Sequence, residues 1–206
     1  MKFLCINTAG TAVQVALCID GKIFCKRDNS FKKASEVLFV FVDELLNGGG
    51  IKLKDLDFIS VCVGPGSFTG IRIGLSMVRI FNQFLSVPVV GVTHMQVLAY
   101  NATSTSKDIV TLADAANGFV YVGVFDNAKN ELLPPNVLTY EQKDIFLASI
   151  DESVELCLER TCDAGGLVAA SLAAFNKNDT TDYNGLVPLY VRQSQAEDNL
   201  TKRGNA

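Results

Sequence analysis

Histidine is nearly missing from this chain: among 206 residues there is one, His94. Zinc-type centres need several Cys and His at short spacings. None of the six cysteines (Cys5, Cys18, Cys25, Cys62, Cys157 and Cys162) forms a C-x-x-C pair, so no metal residues are assigned. Cys5, Cys18 and Cys62 fall in expected strands and read as small buried hydrophobes. A reducing compartment is their simplest home. Tryptophan is absent too, which says nothing about function. No apolar run is long enough to span a membrane. The opening "MKFLCINTAG" is too short and polar for the core of a signal peptide. The expected location is the cytoplasm, with no membrane partner. An excess of basic charge is also lacking: 18 basic against 22 acidic side chains give a net charge of −4. That gives no general attraction to nucleic acid. "FKK" with Lys26 and Arg27 is too small a basic cluster to claim a site, and no aromatic–basic interleaving of the RNA-binding kind occurs.

Hydrophobic residues make up 49% of the chain and charged ones 19%, as in folded soluble proteins. The length suits one large or two small domains. "FLCI", "AVQVALCID" and "GKIFCK" predict three strands, the first buried. "KASEVLFVFVDELLNGGG" carries apolar residues at helical spacing (Ala34, Val37, Leu38, Phe41, Val42, Leu45), with glycines 48 to 50 as its stop. "LDFISVCVG" predicts a strand, "TGIRIGLSMVRIFNQFL" a helix and "VPVVGV" a short strand.

The second half opens with "KDIVTLADAANGFVYVGVFD". Set against "KFLCINTAGTAVQVALCID" at an offset of 106, both run strand, polar turn, strand, acid; Ile6 meets Leu112, Val15 meets Tyr121 and Asp20 meets Asp126. Identity is slight, so this is a repeat of pattern, with chance as its rival. It predicts a duplicated α/β unit, with "NATSTSK" as the connection. We divide the chain into residues 1–103, carrying the glycine loop and both long helices, and 104–206, a smaller α/β domain. Beyond that, "PPNVLTY" predicts an edge or loop, "EQKDIFLASI" and "GGLVAASLAAFNK" helices, "VELCLE" a strand, "NDTTDYNG" a loop and "LVPLYVRQ" a final strand or extended segment. The polar tail from Ser194 reads as frayed.

"CVGPGSFTGIRIG", Cys62 to Gly74, is the densest local signal. As a phosphate cradle it lacks the lysine of a P-loop. Gly64, Gly66 and Gly70 are also too widely spaced for G-x-G-x-x-G, and Pro65 removes an amide donor. Only the order strand, glycine turn, helix favours an anion. A packing role explains more residues. Gly64 and Gly66 permit a tight turn. Ser67 or Thr69 can cap the helix. Gly70 and Gly74 share a face where another backbone must approach. A helix-interior glycine costs roughly 1 kcal/mol against alanine, which close packing offsets. Arg72 sits at the unfavourable end of a helix for a cation; it pairs with a carboxylate, faces a partner, or is simply solvated. Both long helices are apolar nearly all round, which requires burial on several sides. A second protein or ordinary internal layering can supply it.

Catalysis needs grouped titratable residues, and they are hard to find. His94 has no companion in a known motif and reads as structural or surface, in a loop or first helical turn. Ser67 lies in G-S-F-T-G, which does not match the G-x-S-x-G nucleophile elbow. Asp20, Asp114 and Asp126 stand near strand ends, where caps are commoner than magnesium ligands. No catalytic residue is assigned.

The segment "VGPGSFTGIRIGLSMVRIF" resembles the signature of the TsaB (YeaZ) family of bacterial tRNA threonylcarbamoyladenosine biosynthesis proteins. "FLCINTA", "VPVVGVTHMQVLA" and "DAANGFVYVGVF" agree with it in order, as does "LVPLYVRQS" with its P-x-Y-x-R element, here Pro188, Tyr190 and Arg192. The resemblance implies a tandem fold of the actin-like and Hsp70-like (ribonuclease H-like) ATPase superfamily. It implies a subunit without catalytic activity of its own that pairs with the fold-related transferase TsaD. An ATPase, TsaE, would join them, and tRNA would be met indirectly. It implies no intrinsic cofactor, ATP and magnesium entering only through partner subunits. Two departures, Asn7 in "INT" where aspartate is usual and Ala34 near the place of a usual histidine, lead further from ion or nucleotide chemistry.

Mapped by this match, the glycine loop comprises Gly64, Pro65, Gly66, Ser67, Phe68, Thr69, Gly70, Arg72 and Gly74. The contact candidates are Glu36, Val37, Val40, Phe41 and Glu44 in the first helix and Leu75, Val78 and Phe81 in the second. The two helices would dock on counterparts in TsaD as a small bundle, or pair with a second copy when TsaD is absent. Two alternatives stand beside this: a peptidase or ATPase of the actin-like group, and a homodimeric structural protein.

Overall fold

A computed structural model describes residues 1–30, 34–150, 153–159 and 163–192. "FKK" and the tail from residue 193 lie outside them. The first sheet contains β1 (Lys2–Asn7), β2 (Val13–Ile19), β3 (Lys22–Asp28), β4 (Phe58–Gly64), β5 (Val89–Thr93) and the two-residue β10 (Thr180–Thr181). Its order is β10-β5-β4-β1-β2-β3. The second contains β6 (Ile109–Asp114), β7 (Phe119–Phe125), β8 (Glu131–Thr139) and β9 (Glu155–Leu158), in the order β8-β7-β6-β9.

The predicted duplication is visible as topology. In each sheet a three-strand antiparallel meander is extended by a parallel partner of its first strand, β4 beside β1 and β9 beside β6. The match is one residue out of step. Ile6 faces Val15, whereas Leu112 faces Val122, not Tyr121. Paired residues at the aligned position are nine apart in the first hairpin and ten apart in the second, an inserted residue that the ungapped alignment of the halves did not show.

Strand alternation sends side chains to opposite faces and creates three cores. Leu4, Ile6, Val15 and Leu17 point to one face, against α1 (Ala34–Gly49) and α2 (Phe68–Leu85). Phe3, Cys5, Ala16 and Cys18 point to the other. There they meet α3 (His94–Ala99), α5 (Ala164–Asn176) and the inner face of the second sheet through Ile109, Tyr121 and Phe125. Val110, Leu112 and Val122 face outward beneath Phe146 and Leu147 of α4 (Tyr140–Ser149). The layers therefore run helix pair, sheet, helix pair, sheet, helix. A stack of Phe3, Phe58 and Phe175, with centroids 4.5 and 4.2 Å apart, fixes α5 on the middle layer.

Local chemistry explains most boundaries. Ser67 caps α2 by accepting the Gly70 amide at 3.1 Å. Thr93 with Gln96 and Thr139 with Gln142 form reciprocal capping boxes at α3 and α4. α1 runs through Gly48 and Gly49 and ends only where Gly50 takes φ +66°, so the stop lies at the last of the three glycines. The prolines of "PPNV" lie inside β8, an edge strand where a missing amide is tolerated. Within the expected loop "NDTTDYNG", Thr180 and Thr181 pair with Val90 and Val89 of β5. After them the chain runs along the first sheet without joining it as a strand. Its Leu189 amide donates to the Val63 carbonyl at 2.8 Å.

Candidate partner-binding face and inter-sheet cleft

The glycine loop joins β4 to α2 under tight constraint. Gly64 has φ +115°, and a Cβ there would lie 2.6 Å from the Leu189 carbonyl oxygen. At Gly66, φ is +152° and a Cβ would fall 2.1 Å from the Ala9 oxygen. The Ser67 amide donates to that same oxygen at 2.8 Å. The Thr8 hydroxyl donates to the Gly70 carbonyl at 2.7 Å, and a Cβ on Gly74 would sit 2.5 Å from Thr8 Oγ1. Each of these glycines faces the β1–β2 connection or the C-terminal segment, so this loop is bent by packing demands. Pro65 is buried in the bend, which contains a cis Gly64–Pro65 bond.

Arg72 is exposed but has partners within the chain. Its Nε donates to the Tyr190 hydroxyl at 2.9 Å, and its guanidinium lies 5.9 Å from the Phe68 ring centroid and 5.6 Å from that of Tyr190. Phe68 and Tyr190 stack with centroids 4.4 Å apart. The sequence offered a carboxylate, a partner or solvent for Arg72; a tyrosine 118 residues downstream had no local signal.

The outer face of α1 and α2 is apolar and open. Phe39 is 57% exposed, Val40 51%, Ile80 49% and Phe84 77%. A groove of about 410 Å³ between the helices is lined by Phe39, Ile73, Met77 and Ile80, with Ser35, Thr69, Arg72 and Ser76 at its polar positions. Of the residues expected there, Val40, Glu36 and Glu44 are exposed, and Glu44 pairs with Lys26 at 2.6 Å. Val37, Phe41 and Phe81 are half-buried against the chain's own core. Leu75 and Val78 are fully enclosed in that core, one helical face away from the groove, so their side chains are unavailable at this surface. The contact candidates taken from the sequence included Val40 but not Phe39, Ile80 or Phe84, which stand exposed beside it. In an all-round apolar helix, composition does not separate the inner stripe from the outer.

A second concavity, of about 460 Å³, lies between the two sheets. The β1–β2 connection (Ala9, Gly10, Thr11), the start of α2, the β6–β7 turn, Glu159 and Arg192 form its walls. Arg192 donates to the Ala115 and Ala116 carbonyls at 2.9 and 3.0 Å and covers the Phe119 ring at 4.1 Å. In a small void beside the cleft, His94 is 1% exposed in the first turn of α3, so of the expected alternatives the structural one and the helical turn hold. Its Nδ1 lies 3.3 Å from Asn7 Nδ2 and its Nε2 3.7 Å from Glu159 Oε1, an ion-pair distance longer than a hydrogen bond. The Glu159 carboxylate accepts the Thr11 amide at 2.7 Å and the Asp114 amide at 3.2 Å. Burial pushes the Glu159 carboxyl up, but His94 and the two amides outweigh it and hold the group below the usual carboxylate range. Glu159 carried no sequence signal. Asp20 pairs with the N-terminal amine at 2.7 Å, and Asp126 caps its own hairpin through Asn130, so both serve turns.

Two sheets of matching topology, with helices layered between and outside them, define an α/β protein built on a repeated strand pattern. A family model described as TsaD: tRNA N6-adenosine threonylcarbamoyltransferase matches residues 29–144, more than half of the chain. The chain belongs to that family and, within it, to the TsaB/YeaZ group. The tRNA threonylcarbamoyladenosine biosynthesis protein TsaB of Bacillus subtilis is 28% identical over 96% of both chains. That of Escherichia coli is 28% identical over 63% of this chain and 57% of its own. YeaZ from Pseudomonas aeruginosa has the same fold, with a TM-score of 0.80 at 21% identity over 92% of this chain and 99% of its own.

Proposed function

We propose that this chain serves N6-threonylcarbamoyladenosine formation on tRNA as a subunit that binds and supports a TsaD-like transferase and leaves the group transfer to it. The observation that carries this reading is the open apolar face of α1 and α2, with Phe84 at 77% exposure. Fully burying one such side chain contributes about 1.5–3 kcal/mol, so four together are a large exposed driving force. A helix pair meets that demand by packing on a second helix pair. Membership of a family whose members bear TsaD and TsaB names supports a TsaD-like protein as the partner. The same surface pairs with a second copy of the chain when the transferase is absent. A TsaE-like ATPase joins the pair, bringing ATP and magnesium, and tRNA is contacted through the assembly. The burial of His94 and the structural bonds of the glycine loop fit a chain without its own reaction centre. The test is reconstitution: threonylcarbamoyl transfer to tRNA by the TsaD-like protein, with and without this chain. Transfer that depends on the chain is expected. Equal transfer in its absence, or ATP turnover at enzyme-like rates by the chain alone, overturns the proposal.

A further inference from the structure

Glu159 follows β9 of the second sheet, yet one of its oxygens accepts the amide of Thr11, in the first sheet's hairpin connection. The other accepts Asp114 at the end of β6. One carboxylate therefore ties the floor of the cleft to both sheets, with the buried His94 ring beside it. Gly10 leaves no slack: a Cβ there would lie 2.8 Å from His94 Cε1 and 2.9 Å from Glu159 Oε1.

The connection so held is the one that anchors α2. Two residues before Thr11, the Ala9 carbonyl receives the Ser67 amide, and Thr8 donates its hydroxyl to the Gly70 carbonyl. The line from the second sheet to the first turn of the exposed helix passes from Glu159 to Thr11, back along the short span to Ala9 and Thr8, and from there to Ser67 and Gly70. It lies under the cleft, whose walls include Thr11, Ser67, Thr69 and Glu159 themselves.

We infer that Glu159 is a positioning residue for the docking helix, so that the spacing of the two sheets across the cleft sets how α2 is presented to its partner. This rests on the reading of α1 and α2 as the docking face. Coupling of this kind typically changes an affinity by about 5–150-fold. A rigid hydrogen-bonded connection with no slack carries it, because a shift at one end has no soft side chain to absorb it.

The test uses the full chain and the TsaD-like protein. Glu159→Gln keeps the shape but removes the charge that gathers both amides. It is expected to weaken binding about fivefold or more, and to speed hydrogen exchange at the Thr11, Ser67 and Gly70 amides, with the far-ultraviolet dichroism unchanged. Thr8→Val, which deletes only the bond to Gly70, is expected to weaken binding and speed exchange at Gly70 without touching the second sheet. It decides alone if Glu159→Gln does not fold. Wild-type affinity and wild-type protection in these variants overturn the inference. Phe84→Glu separates the two claims. If it binds normally the docking face is wrong, and the exchange at Gly70 in Glu159→Gln then decides the coupling by itself.

Discussion

The same substitution, glycine to alanine, should act in opposite directions at two helical positions. A Cβ added to Gly48 would meet open space, whereas one on Gly74 would lie 2.5 Å from Thr8 Oγ1. Gly48→Ala is expected to stabilise by up to about 1 kcal/mol, the helix propensity difference. Gly74→Ala gains the same term but overpacks a contact at a cost of about 1–3 kcal/mol, so a net loss of up to about 2 kcal/mol is expected. Urea unfolding of both variants measures this; equal signs would refute the packing role of Gly74. Thiols give a second check. Cys25 is exposed, whereas Cys5, Cys18, Cys62 and Cys157 are buried, and burial pushes Cys5 up to about 12 and Cys157 up to about 11. Cys25→Ser should remove a fast-reacting thiol in the native protein and leave those four slow. Glu159 gives a pH signature. Its folded value lies below its unfolded one, so its stabilisation is complete above the unfolded carboxylate range, about 4.3, and is lost as pH falls through the lower folded value. Arg27, His94, Asp114 and Arg192 line the same void and cleft. The urea midpoint should fall over that acid range in the wild type and less in Glu159→Gln; identical profiles would show that the carboxylate is not held as described.

Helices and strands were legible where one local signal sufficed. Ser67 or Thr69 before an apolar helix offered its cap, which Ser67 provides, and the glycines around it predicted a bend made for close approach. The apolar run Phe3 to Ile6 was readable as a buried strand, but not that its two faces belong to two different cores. What stayed hidden was whatever depended on distant parts of the chain. Arg72 meets Tyr190, Thr11 meets Glu159, and Ser60 meets Ser171 at 2.7 Å across the middle layer. No periodicity encodes such pairs. The C-terminal segment shows this most plainly: it read as a strand or extended segment, and it is a strap laid over β4 and α2. Its hold is local and can be loosened. Tyr190→Ala removes the Phe68 stack, worth about 0.5–1.5 kcal/mol, together with the Arg72 bond. Faster exchange at the Leu189 amide, with the α1 and α2 core unchanged, is the expected result. Unchanged protection would mean that the strap is held elsewhere.

Across the chain, duplication explains why a cleft and an exposed helix pair coexist. Each half supplies a sheet built on the same four-strand pattern, and the two inner faces close on α3 and α5. The second sheet covers its outer face with α4, whereas the first covers its own with α1 and α2, whose far side remains apolar and open. Among the described residues Phe84, on that far side, is the most exposed large hydrophobic side chain at 77%, ahead of Ile145 of α4 and Val187, both at 65%. The most direct measurement is the affinity of the purified chain for the TsaD-like protein, by titration calorimetry, for the wild type and for Val40→Glu with Phe84→Glu. Both side chains are exposed, so the variant should keep its fold and melting temperature. Binding weakened tenfold or more, the equivalent of about 1.4 kcal/mol, is the predicted result. A double variant that binds as tightly as the wild type would contradict it.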